Sequence, residues 1–155
     1  MAKKKNTNGR IDTTSLIDLI NKKAGETLAY DLTKENPTEV KDWIPTGSTW
    51  LNKIICVGNP NGGIPVSKIT ELAGLEGSGK SYMAAQIAAN AQKMGIEVVY
   101  FDSESALDPA FLEQAGCDVG KIAYTQAKTV EFVFETMEML LGETDKKMLF
   151  VWDSV

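Results

Sequence analysis

The stretch Glu71-Leu72-Ala73-Gly74-Leu75-Glu76-Gly77-Ser78-Gly79-Lys80-Ser81 decides how the rest of this 155-residue chain is read. Its last eight residues fit the pattern G-x-x-x-x-G-K-[S/T]. The pattern has a physical basis. The glycines let the backbone turn so that successive N–H groups point inward at one place. A helix that begins directly after the loop presents its positive end to the same place. Together these make a cradle for phosphate oxygens. Lys80 adds a point charge suited to the β/γ-phosphates of a nucleoside triphosphate, and Ser81 adds a hydroxyl able to ligate Mg²⁺. The expected ligand is ATP with Mg²⁺, held by Gly74, Leu75, Glu76, Gly77, Ser78, Gly79, Lys80 and Ser81, with Tyr82 next to them.

Outward from the loop, the flanks read as strand and helix. Residues 67–73 predict a strand entering the loop, and a helix runs from the loop to about Met94. Its small side chains (Ala84, Ala85, Ala88, Ala89, Ala91) suit close packing on a sheet, and Gly95 stops it. Residues 96–101 predict a second strand, closed by Asp102. Asp108-Pro109 looks like a helix cap with a first-turn proline, and Gly116 ends that short helix. A short strand follows over 122–125. Thr129 to Leu141 is amphipathic, with Val130, Val133, Phe134, Met137 and Leu141 on one side. The apolar run 148–152 predicts a strand buried on both faces. Alternating strands and helices give an α/β fold with a mostly parallel sheet.

On the N-terminal side, Ser48 is placed to cap a helix through Ile55, and Asn59-Pro60-Asn61-Gly62-Gly63 is a turn. Residues 31–45, with Pro37 and Pro45, read as a linker, which puts a boundary near Pro45. Before it, Leu16, Ile17 and Ile20 share one face of a helix that Thr13 can cap and Gly25 can end. Such a helix needs the body or a neighbouring subunit to pack on. The expected organisation is a disordered polar tail over 1–10, a helix and linker over 11–45, and an α/β core over 46–155.

Composition narrows the function classes. The net charge of −5 gives no overall attraction to nucleic acid or to an anionic membrane. The chain has no histidine, which excludes a His-based triad or a His-rich metal site. No apolar run reaches the length of a membrane helix, and the basic start Met1-Ala2-Lys3-Lys4-Lys5 lacks the apolar stretch of a secretion signal. Cys56 and Cys117 have no motif spacing and read as two buried thiols.

Two acidic segments accompany the loop. Asp153 closes the apolar run 148–152, and an acid there needs a partner, which Mg²⁺ beside the phosphates would be. Asp102 and Glu104 stand at the end of the second strand. Strand geometry continued through 104 would put both on one face, where a carboxylate can activate a water against a γ-phosphate. Two solvated acids at a strand end is the alternative from these residues alone.

Four segments together resemble the RecA family of strand-exchange ATPases, and most of all its phage-type, UvsX-like branch. They are residues 46–52 with Gly62-Gly63-Ile64-Pro65; residues 71–81; Tyr100-Phe101-Asp102-Ser103-Glu104-Ser105-Ala106-Leu107-Asp108-Pro109; and residues 148–154. The resemblance covers about residues 45–155 and implies a P-loop ATPase core of the RecA type. It implies that Glu104 activates the hydrolytic water with Asp102 in support. Asp108 would lie near the adenine amino group and Phe111 would pack on the adenine. Asp153 would be the Mg²⁺-side acid. It further implies single-stranded DNA as partner, self-assembly into a filament with the helix near residues 12–25 as an oligomerisation element, no membrane, and a cytoplasmic site (the host's cytoplasm for a phage protein).

Family members continue for well over 100 residues past the acidic strand, through the DNA-binding loops and a strand that lies between the loop strand and the Asp153 strand. The sequence is therefore expected to be a partial gene product that, alone, binds ATP poorly, hydrolyses it negligibly and folds unstably. Other RecA-fold motors (a replicative helicase or a RadA-type repair ATPase), a small-molecule kinase and an inert nucleotide-binding relative are the alternatives. The segment 102–109 and the short N-terminal helix favour the recombinase over other motors, and the 73 residues before the loop speak against a kinase.

Overall fold

A computed structural model describes residues 12–59 and 61–153, so the tail expected over 1–10, Pro60 of the turn and Ser154 lie outside the described residues. The chain divides into two compact units after Glu39. The first holds helix α1 (Thr13–Ala24). Asp12, not Thr13, caps it: the Asp12 carboxylate accepts the Ser15 N–H at 2.7 Å. Aspartate is the stronger cap because its charge also favours the helix N-terminus. Gly25, at φ 79°, ends the helix as expected. The Asn21 side chain then ties down the following segment, accepting from Leu28 and Ala29 N–H and donating to the Ala29 carbonyl. No residue of α1 is buried.

In the second unit, β1 (Trp43–Ile44) pairs antiparallel with β2 (Ile64–Pro65), and α2 (Thr49–Ile55) lies between them in sequence, capped by Ser48. The expected linker over 31–45 is thus too long, because its last residues belong to the body and Ile44 is buried there. The buried Asn52 amide oxygen accepts both the N–H and the hydroxyl of buried Thr46, which fixes the entry to α2. Cys117 is buried, whereas Cys56 is only half-buried and accepts the Gly63 N–H.

The main sheet is α/β and all parallel, with strand order β4 (Ile122–Gln126), β3 (Glu97–Asp102), β5 (Met148–Asp153). Period-2 alternation along β3 divides its side chains between two layers. Val98 and Tyr100 join the cluster of α3 (Lys80–Lys93), where Ala85, Ala88 and Ala91 are fully buried. Alanine there lets the helix backbone approach the sheet closely. Val99 and Phe101 join the opposite cluster with Val133 of α5 (Val130–Glu143). The short α4 (Pro109–Gln114) starts at an Asp108 cap with proline in the first turn, and Thr129 caps α5.

Two expectations fail here for related reasons. Residues 67–73 form no strand, and neither do the two that follow: they join no ladder, and Ile69 is fully exposed. The run 148–152 does form β5, but only Val151 on it is buried. Among the described residues β5 pairs with β3 alone, so one of its edges is open. A strand exists only through its neighbour, and burial on both faces needs covered edges as well as covered faces.

Candidate nucleotide-binding site

The loop 74–79 turns on left-handed glycines, Gly77 at φ 71° and Gly79 at φ 89°. Gly74 is needed for a different reason: a Cβ on it would come within 2.7 Å of the Ser78 hydroxyl. Gly79 is the N-cap of α3 and supplies no side-chain acceptor, so the first-turn amides of the helix remain available to an anion. The Lys80 ammonium folds back over the loop and donates to the carbonyls of Gly74 and Leu75, each at 3.0 Å. Backbone donors, helix end and ammonium are thus gathered at one glycine cradle, and this set fits a polyphosphate.

Tyr82, one turn into α3, meets the half-buried Phe111 of α4 edge to face, with centroids 6.0 Å apart. The two aromatics named from sequence are therefore brought together. Asp108 is exposed, and its carboxylate accepts the Ala110 N–H at 2.9 Å in capping α4.

β3 ends at Asp102, where the expected strand closes, so the extended geometry that would put Asp102 and Glu104 on one face does not continue. The chain bends instead, and Ser105 takes a left-handed φ of 56°. The cause is Asp102 itself, only 3% exposed. Its Oδ1 accepts the Glu104 N–H at 3.1 Å, and its Oδ2 accepts the Leu107 N–H and the Tyr124 hydroxyl, both at 3.0 Å. A carboxylate that bonds to backbone N–H groups ahead of it turns the chain out of the sheet. Glu104 is thereby carried out into an exposed turn at the carboxyl end of the central strand. Burial pushes the Asp102 carboxyl up, but the Leu107 N–H, the Tyr124 hydroxyl and the amides of Ala106 and Ser105 outweigh it and hold the group below the ordinary carboxylate value.

This has a measurable consequence. A folded value below the unfolded one means that Asp102 stabilises fully above the ordinary carboxylate range, and that this stability is lost as pH falls through the native value. Asp102→Asn is expected to cost about 1–3 kcal/mol near neutral pH, the worth of hydrogen bonds to a charged group. Urea unfolding as a function of pH checks this: the deficit shrinks as the pH is lowered.

Asp153 ends β5 directly beside Asp102 in the parallel register. Its Oδ2 accepts the hydroxyl of fully buried Tyr100 at 3.0 Å, and its backbone carbonyl accepts the Ser103 N–H at 2.9 Å. Burial raises the Tyr100 hydroxyl above its usual value, and the Asp153 charge adds to that, so it stays a donor. Among the described residues no cluster of three metal-binding side chains exists. The two residues named from sequence for Mg²⁺, Ser81 and Asp153, are oxygen donors of the kind that ion takes alongside waters and substrate phosphates, rather than a cage built by protein. Tyr100 and Tyr124 were not singled out in the sequence. The available signal was period 2, which puts Tyr100 on the same face of its strand as Asp102.

A parallel α/β sheet with a glycine loop feeding helix α3 defines a P-loop NTPase core of the RecA-like type. The model of the RecA N-terminal domain matches residues 12–155, and the chain belongs to the RecA family. It is similar to Protein RecA of Streptomyces avermitilis (38% identical over 123 residues, 78% of this chain and 31% of the relative). It is also similar to Protein RecA of Streptomyces coelicolor (40% over 127 residues, 81% and 31%) and of Aquifex pyrophilus (36% over 136 residues, 88% and 37%). These are bacterial proteins, and they support the family without supporting the phage-type branch expected from sequence. The chain spans about a third of the length of these relatives.

Proposed function

We propose that these residues form the nucleotide-binding part of an ATP-dependent DNA recombinase, one that assembles as a filament on single-stranded DNA in the cytoplasm. The observation that carries this reading is the turn built on Asp102. It lifts Glu104 out of the carboxyl end of β3, in a chain whose glycine loop opens onto an uncapped helix. In this reading residues 74–81 and Tyr82 hold the triphosphate, Lys80 neutralises its charge, and Phe111 and Asp108 meet the base. Glu104 takes a proton from the attacking water. Ser81 and Asp153 hold Mg²⁺, which supplies charge neutralisation to the phosphates when bound. DNA contacts belong to parts of the protein beyond the residues described, and α1 serves self-assembly. No helix among the described residues is long and apolar enough to cross a membrane.

ATP hydrolysis by the full-length protein, with and without single-stranded DNA, tests the reading. Hydrolysis is expected to rise about 10²-fold or more with DNA, the low end of what bringing a general base into position contributes, and joint molecules form from homologous strands. Hydrolysis indifferent to DNA, or phosphoryl transfer to a small acceptor, would sink it. Strand unwinding without joint molecules would point to a helicase.

A further inference from the structure

Tyr100 carries a hydroxyl where packing needs none. It stands on the central strand, fully buried, in the cluster that contains Ala85, Ala88, Val98 and Val151. A phenylalanine would fill the same volume without placing a polar group in an apolar layer. The next residue, Phe101, does this on the opposite face. The Tyr100 hydroxyl is satisfied by a single partner from another strand, Oδ2 of Asp153, 53 positions away in sequence.

The two adjacent carboxylates at this end of the sheet differ in what they have left to offer. Asp102 has both oxygens committed, Oδ1 to the Glu104 N–H and Oδ2 to the Leu107 N–H and the Tyr124 hydroxyl. A carboxylate so saturated organises a turn and has little capacity for a cation. Asp153, its neighbour in the register, receives one side-chain hydrogen bond, from Tyr100 on Oδ2. The ion pairs among the described residues use Asp31, Asp42, Glu97 and Asp118, so no described lysine neutralises Asp153. The phenol thus fixes one oxygen of a half-buried acid and leaves the other open.

We infer that Tyr100 is a positioning residue for the divalent cation that accompanies the nucleotide: by holding Oδ2 it sets the orientation in which Asp153 presents Oδ1. The inference rests on the proposed ATP site and adds to it the residue that separates the two acids into a structural one and a cation-facing one. Outer partners of this kind orient metal-side carboxylates and typically change metal affinity when removed.

The test is binding, not turnover. Association of a fluorescent ATP analogue with the full-length protein is titrated with Mg²⁺ for the wild type, Tyr100→Phe, Asp153→Ala and the double variant. Tyr100→Phe keeps the ring and removes only the hydroxyl, so the fold persists. It is expected to raise the Mg²⁺ concentration at half-maximal binding about tenfold, while affinity in excess chelator stays at the wild-type level. In the Asp153→Ala background the same substitution has no further effect, since the interaction it removes is already gone. An unchanged or lower Mg²⁺ midpoint in Tyr100→Phe overturns the inference, and so does an undiminished effect in the Asp153→Ala background, which would mark a packing role. Those outcomes leave the nucleotide reading standing. A wild type with no Mg²⁺-dependent binding overturns both.

Discussion

Lys80→Ala is expected to raise the Kd of the full-length protein for ATP by about 10- to 150-fold, the equivalent of ~1.5–3 kcal/mol for a charge-assisted contact. The ammonium already sits at the mouth of the cradle, held by the Gly74 and Leu75 carbonyls. Those two bonds are local and exposed, so losing them changes stability little, and the deficit falls on the ligand. On binding, the ammonium exchanges carbonyl oxygens for phosphate oxygens that carry full charge, a stronger partner for the same donor. Alanine leaves the loop amides and the helix end in place, which is why residual affinity is expected. Isothermal titration with ATP measures the change, and thermal unfolding without ligand serves as control. Wild-type affinity in the variant would remove Lys80 from the site.

Glu104→Gln is expected to leave the Kd for ATP within about threefold of wild type and to lower kcat about 10²- to 10⁴-fold, the usual worth of a positioned general base. Glutamine keeps the length and shape of the side chain but cannot accept the proton. The turn that carries the residue is held through its backbone N–H on Asp102, which the substitution does not touch. The effect should therefore appear in turnover and not in binding. Single-turnover hydrolysis at saturating ATP separates the two, and near-normal turnover would show that another group handles the water. Asp102→Asn, by contrast, acts through stability with its own pH signature, so the two neighbouring acids can be told apart by experiment.

What the sequence made legible was mostly local. The start of α3 on its glycine, the Asp108 cap with its proline, the alanine face and the Gly25 stop each depend on residues within a turn of one another. The errors were nonlocal or competitive. Thr13 and Asp12 are adjacent candidates for one cap, and charge decided between them. The end of β3 at Asp102 was legible, but the turn that follows depends on the Asp102 side chain bonding to the backbone ahead of it, which residue alternation cannot reveal. The strand expected at 67–73 failed because its residues find no neighbour to pair with. The Tyr100–Asp153 bond depends on the register of two parallel strands joined through 53 positions of chain. No spacing rule reaches that far.

The unpaired segment 69–75 bears on the order of events during synthesis. Strands β3, β4 and β5 follow one another along residues 97–153 and, among the described residues, bond only to each other. β3 and β5 are joined through α4, β4 and α5, so this parallel sheet closes by long-range pairing, the slow kind, once β5 has left the ribosome. The phosphate cradle is translated earlier and is seated on that core from both sides, by the buried alanines of α3 and by Leu72, which packs without joining a ladder. The grip is therefore made before the strands that seat it. Stabilisation by nucleotide, as a thermal shift, would report on cradle and sheet together.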